Sequence, residues 1–189
     1  MKTKLLMLSL AVSFACAGNA IALTKDEYKV QKDQVSATHK AHREKCSALK
    51  DNAKDVCVAE AKGAEKVAKA ELEAQYKPSA KNARDVGMAK ADSVYNVAKE
   101  KCDDLAGNAK DVCVKDAKAM HVKAKEDAKV VKASMDGGSN KAANVNEARK
   151  EANSEMREAN YKAAKERCDS MSGNAKDVCQ KDAKVKFGM

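Results

Sequence analysis

The chain has 189 residues, a formal net charge of +9, and 34% charged residues, with no tryptophan and only two phenylalanines. A composition so poor in large apolar side chains excludes a thick hydrophobic core. The near absence of aromatic side chains excludes the stacking platforms of a single-strand nucleic-acid binder. Alanine, the strongest intrinsic helix former, alternates with lysine, glutamate and aspartate through most of the sequence, and predicts an all-α protein.

The elements follow in chain order. Lys2 and Lys4 precede a short apolar run from Leu5 to Ala17, and Ala20-Ile21-Ala22 supplies the small-x-small pattern of a signal-peptidase site. Residues 1–22 therefore predict an export signal cleaved after Ala22. The run is well short of the roughly 20 residues a membrane-spanning helix needs. Cys16 as the lipidated residue of a lipoprotein is disfavoured by Ser13 and Phe14 just before it. Cleavage removes Cys16 and leaves six of the seven cysteines. An even count in an oxidising compartment predicts disulfides.

The next stretch, 23–76, carries Cys46 and Cys57 on either side of Asp51-Asn52. The same arrangement returns as Cys102 and Cys113 around Gly107-Asn108, and as Cys168 and Cys179 around Gly173-Asn174, within the repeated string GNAKDVC. Each unit reads helix, tight turn, helix. Glycine in the left-handed conformation would close the first helix, and the following asparagine would cap the second. Positions equidistant from the turn of such a hairpin face each other, so the spacing predicts the local pairs Cys46–Cys57, Cys102–Cys113 and Cys168–Cys179.

Two breaks divide the units. The segment 75–82 holds the only proline, and 135–141 contains Gly137-Gly138. They set three hairpins over 23–76, 77–135 and 136–189, with helices expected at 25–49, 53–76, 83–106, 109–135, 141–172 and 175–187. Within the second unit Met88, Ala91, Tyr95, Ala98, Cys102 and Leu105 step by three and four, a coiled-coil-like seam. After the turn Cys113, Ala117, Met120, Ala124, Ala128 and Val131 continue at helical spacing, and Tyr161, Ala164, Cys168 and Met171 repeat the first seam. The stretch NARDVGMAKA at 82–91 reads as a copy of the second-helix start with Gly87 in the cysteine position.

Catalytic equipment is not visible. The chain has no nucleophile elbow, no glycine-rich phosphate loop, and no CxxC, so neither an enzyme nor a cofactor is expected. The carboxylates of KAKEDAK at 123–129 read as solvated ion pairs. The sharper pattern is His39, His42 and Cys46, spaced by three and four on one helical face. Two histidines so placed can take a divalent ion from one helix, although a bridged Cys46 would be lost as a ligand. The basic balance suits anionic envelope polymers, but its lysines are interleaved with acids, and nucleic acid is not expected.

The alanine-, lysine- and glutamate-rich helices behind an export signal resemble the helical region of the TolA family, which bridges the Gram-negative periplasm. They also resemble small exported proteobacterial proteins with repeated cysteine turns. The resemblance implies a periplasmic helical spacer or interaction protein whose partner is an envelope protein or polymer. It assigns no binding residue. The alternative is a metal-binding periplasmic protein using the His39/His42 face.

Overall fold

The computed structural model describes residues 23–189. The predicted signal segment 1–22 and Cys16 lie outside the described residues. Six α-helices follow in order: α1 (Lys25–Cys46), α2 (Asp51–Tyr76), α3 (Ala80–Cys102), α4 (Gly107–Met135), α5 (Lys141–Arg167) and α6 (Gly173–Phe187). A short 3₁₀ turn, Cys168–Ser170, follows α5. No strand occurs among the described residues. Disulfides join α1 to α2, α3 to α4, and the end of α5 to α6.

Local chemistry starts two of these helices. Thr24 caps α1 in a reciprocal box, its hydroxyl accepting from Glu27 N while Glu27 Oε2 accepts from Thr24 N at 2.8 Å. That box satisfies two of the amides a helix start leaves without partners. Ser79, just after Pro78, caps α3 by accepting from Asn82 N at 3.1 Å, which starts the helix at Ala80 and not at residue 83.

Packing runs along the chain. Each helix lies against the helices before and after it, and α1 and α6 do not pack together. The six helices therefore form an antiparallel row and not a bundle closed around one core. Such a row is quasi-one-dimensional: each unit is stabilised by its neighbours only. What it buries is small. Besides the cysteines, the buried apolar residues are Leu72 and alanines such as Ala61, Ala91, Ala117, Ala128, Ala152, Ala163 and Ala183. At about 25 cal/mol per Å², alanine contacts contribute little area each, so closeness of approach becomes the main variable.

The turn differs from the sequence expectation. The helices before it end at Cys46, Cys102 and Arg167, three to five residues short of the expected 49, 106 and 172. After Cys46 the chain tightens, with Ser47 N donating to Glu44 O and Leu49 N to Cys46 O. These i→i+3 bonds satisfy the last carbonyls. The left-handed residues are Asp51 (φ 50°), Gly107 (φ 55°) and Gly173 (φ 55°). They open the second helix instead of closing the first. Asn52, Asn108 and Asn174 lie inside that helix and do not cap it; Lys50, Ala106 and Ser172 occupy the cap positions without side-chain bonds. Leu105 and Met171 consequently fall in the turn and are exposed, as are Met120 and Val131. The seam is carried by its alanines, Tyr95 and the cysteines.

Two glycines mark the closest approaches. A Cβ placed on Gly63 of α2 would lie 2.9 Å from Ser93 Cβ of α3. One placed on Gly87 of α3 would lie 2.6 Å from Ala128 Cβ of α4. Gly87, the eighth residue of α3 as Cys57 is the seventh of α2, is a contact residue between the helices of the second hairpin. Replacing Gly63 by alanine raises helix propensity by about 1 kcal/mol but forces a clash worth about 1–3 kcal/mol. Gly63→Ala should therefore lower the melting temperature. Gly63→Ala with Ser93→Ala should recover part of the loss, because the hydroxyl that overlaps the new methyl is gone. Thermal melts followed by circular dichroism decide it, and a stabilised Gly63→Ala would contradict the close approach.

Candidate functional site

The cysteine turns gather at one end of the row, and their residues do two separate jobs. Within a hairpin, the bridged Cα atoms lie 5.6, 5.7 and 5.7 Å apart, inside the range a disulfide allows. Cys46, Cys102 and Cys168 are at most 1% exposed. Each cysteine pair expected from the spacing is present as a local bridge. In the second and third copies the lysine of GNAKDVC reaches back to the aspartate after the first cysteine: Lys110 to Asp103 at 2.9 Å and Lys176 to Asp169 at 2.8 Å. The hydrogen bond from Lys176, aided by the charges of Lys176, Lys165 and Lys115, holds the Asp169 carboxyl below its ordinary 3.8. Ser47 stands at the equivalent place in the first copy, and its hydroxyl donates to Glu44 O at 2.6 Å.

Between hairpins, the asparagine is the connector. Asn52 Nδ2 donates to the Glu100 carbonyl at 2.8 Å, and Asn108 Nδ2 donates to the Glu166 carbonyl at 3.2 Å. Each asparagine thus satisfies a C-terminal carbonyl of the next hairpin's first helix. Ion pairs flank these bonds: Lys101 with Glu60 at 3.8 Å, Lys115 with Glu166 at 3.4 Å, and Arg167 with Asp116. These surface pairs are worth only about 0–1 kcal/mol each, but they fix which residue faces which. Sequence reading assigned the asparagines to caps and missed this role.

Counting outward from the cysteines, one cross-hairpin position holds polar or aromatic residues in every copy: His39 opposite Glu65, Tyr95 opposite His121, and Tyr161 and Phe187 at the matching places. His39 Nδ1 lies 3.3 Å from Glu65 Oε2. The hydrogen bond from Lys69 chiefly, then the charges of Lys69 and His39, keep the Glu65 carboxyl below its ordinary 4.5. His42 is exposed. Cys46 Sγ is bonded to Cys57. The His39, His42 and Cys46 face thus offers no three-ligand cluster, and among the described residues no group of three or more His, Cys, Asp or Glu side chains gathers to hold a metal ion. The metal expectation therefore lacks structural support, because the first histidine is taken up by its cross-hairpin partner and the thiolate by the bridge.

A concavity of about 750 Å³ lies along α4 between α3 and α5. His121 sits at its edge, 8% exposed, with Nε2 2.7 Å from Asp92 Oδ1 and its ring stacked on Tyr95 at 4.5 Å between centroids. A carboxylate partner makes Nε2 the donor, and Nδ1 is buried without a partner. Glu126 also lines the groove. It is 5% exposed, with Oε1 accepting from Lys129 Nζ at 2.6 Å and Oε2 buried without a partner. KAKEDAK therefore contains one buried carboxylate, where sequence reading expected only solvated pairs. The groove walls mix both signs, with Arg84, Lys118 and Lys162 near Glu155 and Glu158. This equipment suits a polar, hydrogen-bonding contact.

No protein-family model matches the chain, and neither a curated protein nor a solved structure matches it.

The two jobs of the turn make different predictions. Asn108→Ala removes a half-buried bond between hairpins and should destabilise the protein by about 1 kcal/mol. Asn174→Ala removes a side chain with no such bond among the described residues and, in dilute protein, should leave the melting temperature within error. Equal losses in both variants would mean that the asparagines serve their own turns and do not connect hairpins.

Proposed function

We propose that this chain is an exported structural or interaction protein of the periplasm: a row of disulfide-stapled helical hairpins that presents long charged faces to an envelope partner. The observation that carries this reading is the set of three local bridges, each with its first cysteine buried. Such bridges form and persist in oxidising compartments and are rare in reducing ones. The positively charged start, apolar run and Ala20-Ile21-Ala22 of the sequence support the same address. No described helix is long and apolar enough to cross a membrane, which fits a mature chain held outside the bilayer.

The faces give the reading its content. Lysines and carboxylates pair along individual helices, as in Lys69 with Glu65, Lys81 with Asp85, and Lys123 with Asp127. Such a surface is solvated and charged but not of one sign. It suits contacts with a protein of complementary pattern or with an anionic envelope polymer, held by weak and salt-sensitive electrostatics.

Expression of the full sequence followed by cell fractionation tests the address. The protein should appear in the periplasmic fraction, its N-terminal sequence should begin at Leu23, and thiol alkylation before reduction should label no cysteine. A start at lipid-modified Cys16, or a cytoplasmic protein with reactive thiols, would overturn the reading.

A further inference from the structure

The two joints between hairpins are built from equivalent positions, and the outer faces of α6 and α1 carry the two halves of a third. At the first joint Asn52 bonds the Glu100 carbonyl and Glu60 pairs with Lys101. At the second, Asn108 bonds the Glu166 carbonyl, Asp116 pairs with Arg167, and Lys115 pairs with Glu166. Counted from the cysteines, the matching positions on α6 are Asn174, Asp182 and Lys181. On α1 they are the Glu44 carbonyl, Lys45 and the Glu44 side chain. Every pair is complementary: an amide for a carbonyl, an acid for a base, a base for an acid. The repeat has thus kept on its two outer faces the same complementary groups that its internal joints use.

We propose that this protein associates head to tail with further copies of itself, α6 of one copy docking beside α1 of the next as α2 docks beside α3 and α4 beside α5. Exposure follows the pattern that a missing neighbour leaves. Asn52 and Asn108 are half-buried, whereas Asn174 is exposed. Glu100 and Glu166 are half-buried, whereas Glu44 is exposed. Ser93 of α3 and Ala159 of α5 are half-buried, whereas Ala37, at the matching place on α1, is exposed. Opposite them stand Gly63, Ala119 and Val185. Val185 is 75% exposed, the most exposed large apolar residue described, and the docked arrangement would cover it with Ala37.

Two features set the strength of the contact. Helix α6 has 15 residues against 26 and 29 in α2 and α4. It nevertheless spans every matching position named above, so the joint is short but complete at the cysteine end. An interface of one short helix belongs to the weak class, below about 1,200 Å². The Ser47 hydroxyl holds the Glu44 carbonyl in the single chain, and Asn174 would share or displace that bond. The contact uses two different faces, so it is heterologous: a dimer still has one free face at each end, and growth continues beyond it into strings or rings. The proposal rests on the joints alone and is independent of where the protein resides.

Sedimentation equilibrium of the oxidised exported protein, with a charge swap, tests it. The average mass should climb beyond the dimer with concentration and fall with added salt. Asp182 and Lys45 make no ion pair within the described residues, so Asp182→Lys and Lys45→Glu should each weaken association about tenfold. Dilute protein should stay folded, with the melting temperature unchanged in Asp182→Lys and lowered by only a few degrees in Lys45→Glu, whose new charge opposes the end of the α1 dipole. The double variant should restore association. Mixing the two single variants should also restore growth beyond the dimer. Each variant repels its own copies, but in alternation one joint pairs the two new charges and the next pairs the native Asp182 with the native Lys45. A protein that stays monomeric up to about 1 mM, the upper end of weak association, would overturn the proposal. So would association that ignores both substitutions, or a mixture that behaves like its separate components. None of those results would bear on export, which fractionation reads independently.

Discussion

The rest of the fold depends on the covalent bridge that holds two helix backbones within 5.7 Å at their cysteines. Each Cα lies about 2.3 Å from its helix axis, so inward-facing cysteines at this separation set the axes no more than about 10 Å apart, within the ordinary range. The helices approach more closely beyond the bridge only where the residues on the next rungs are small. They are: Ala61, Ala117 and Ala183, each one turn past the second cysteine, are all buried. The bridge and the alanine seam explain each other. A thin seam buries too little surface to hold two helices for long, and a short covalent loop offsets that by restricting the unfolded chain, by roughly 3 kcal/mol per bridge in the chain-entropy model. Wider residues return only at the third rung, where Tyr95 and His121 stack.

Stapled hairpins would be isolated units without the asparagine bonds and ion pairs that join them. Those contacts sit at the cysteine end, beside the bridges, where the backbone is best fixed. A rigid turn thus positions its own connector. Because each hairpin packs only against its chain neighbours, stability is local and additive along the row, and the terminal helices are left with faces built to the internal pattern. The same geometry leaves the α4 groove open between α3 and α5, with His121 and Glu126 holding unused polar atoms at its margin.

Much of this was legible in the residues. The constant spacing of Cys46/Cys57, Cys102/Cys113 and Cys168/Cys179 determined the pairing, since only a local hairpin makes three identical separations useful. The two breaks placed the remaining boundaries to within a few residues. What was misread lay in the turn. Glycine and asparagine each have an ordinary local role at a helix end, and the sequence reading assigned them those roles; the structure uses Gly107 one element later and turns Asn108 outward to Glu166. A bond to a residue 58 positions away leaves no local trace. Glu126 was misread for a related reason. Its neighbours Lys123 and Asp127 are exposed and paired with each other, and only tertiary packing, which leaves no local pattern, buries one carboxylate among them. For His39 the pattern on one helix suggested a metal, while the decisive partner, Glu65, lies on the opposite helix.

Thermal unfolding of the oxidised and fully reduced protein measures directly whether the bridges supply what the alanine seams lack. With about 3 kcal/mol per bridge and about 2–4 °C of melting temperature per kcal/mol in a chain of this size, reduction should lower the midpoint by roughly 20 °C or more. Much of the helical circular dichroism should survive at low temperature, because alanine-rich helices retain local preference. A reduced protein that melts within a few degrees of the oxidised one would show that the seams hold the helices unaided, and would contradict the account.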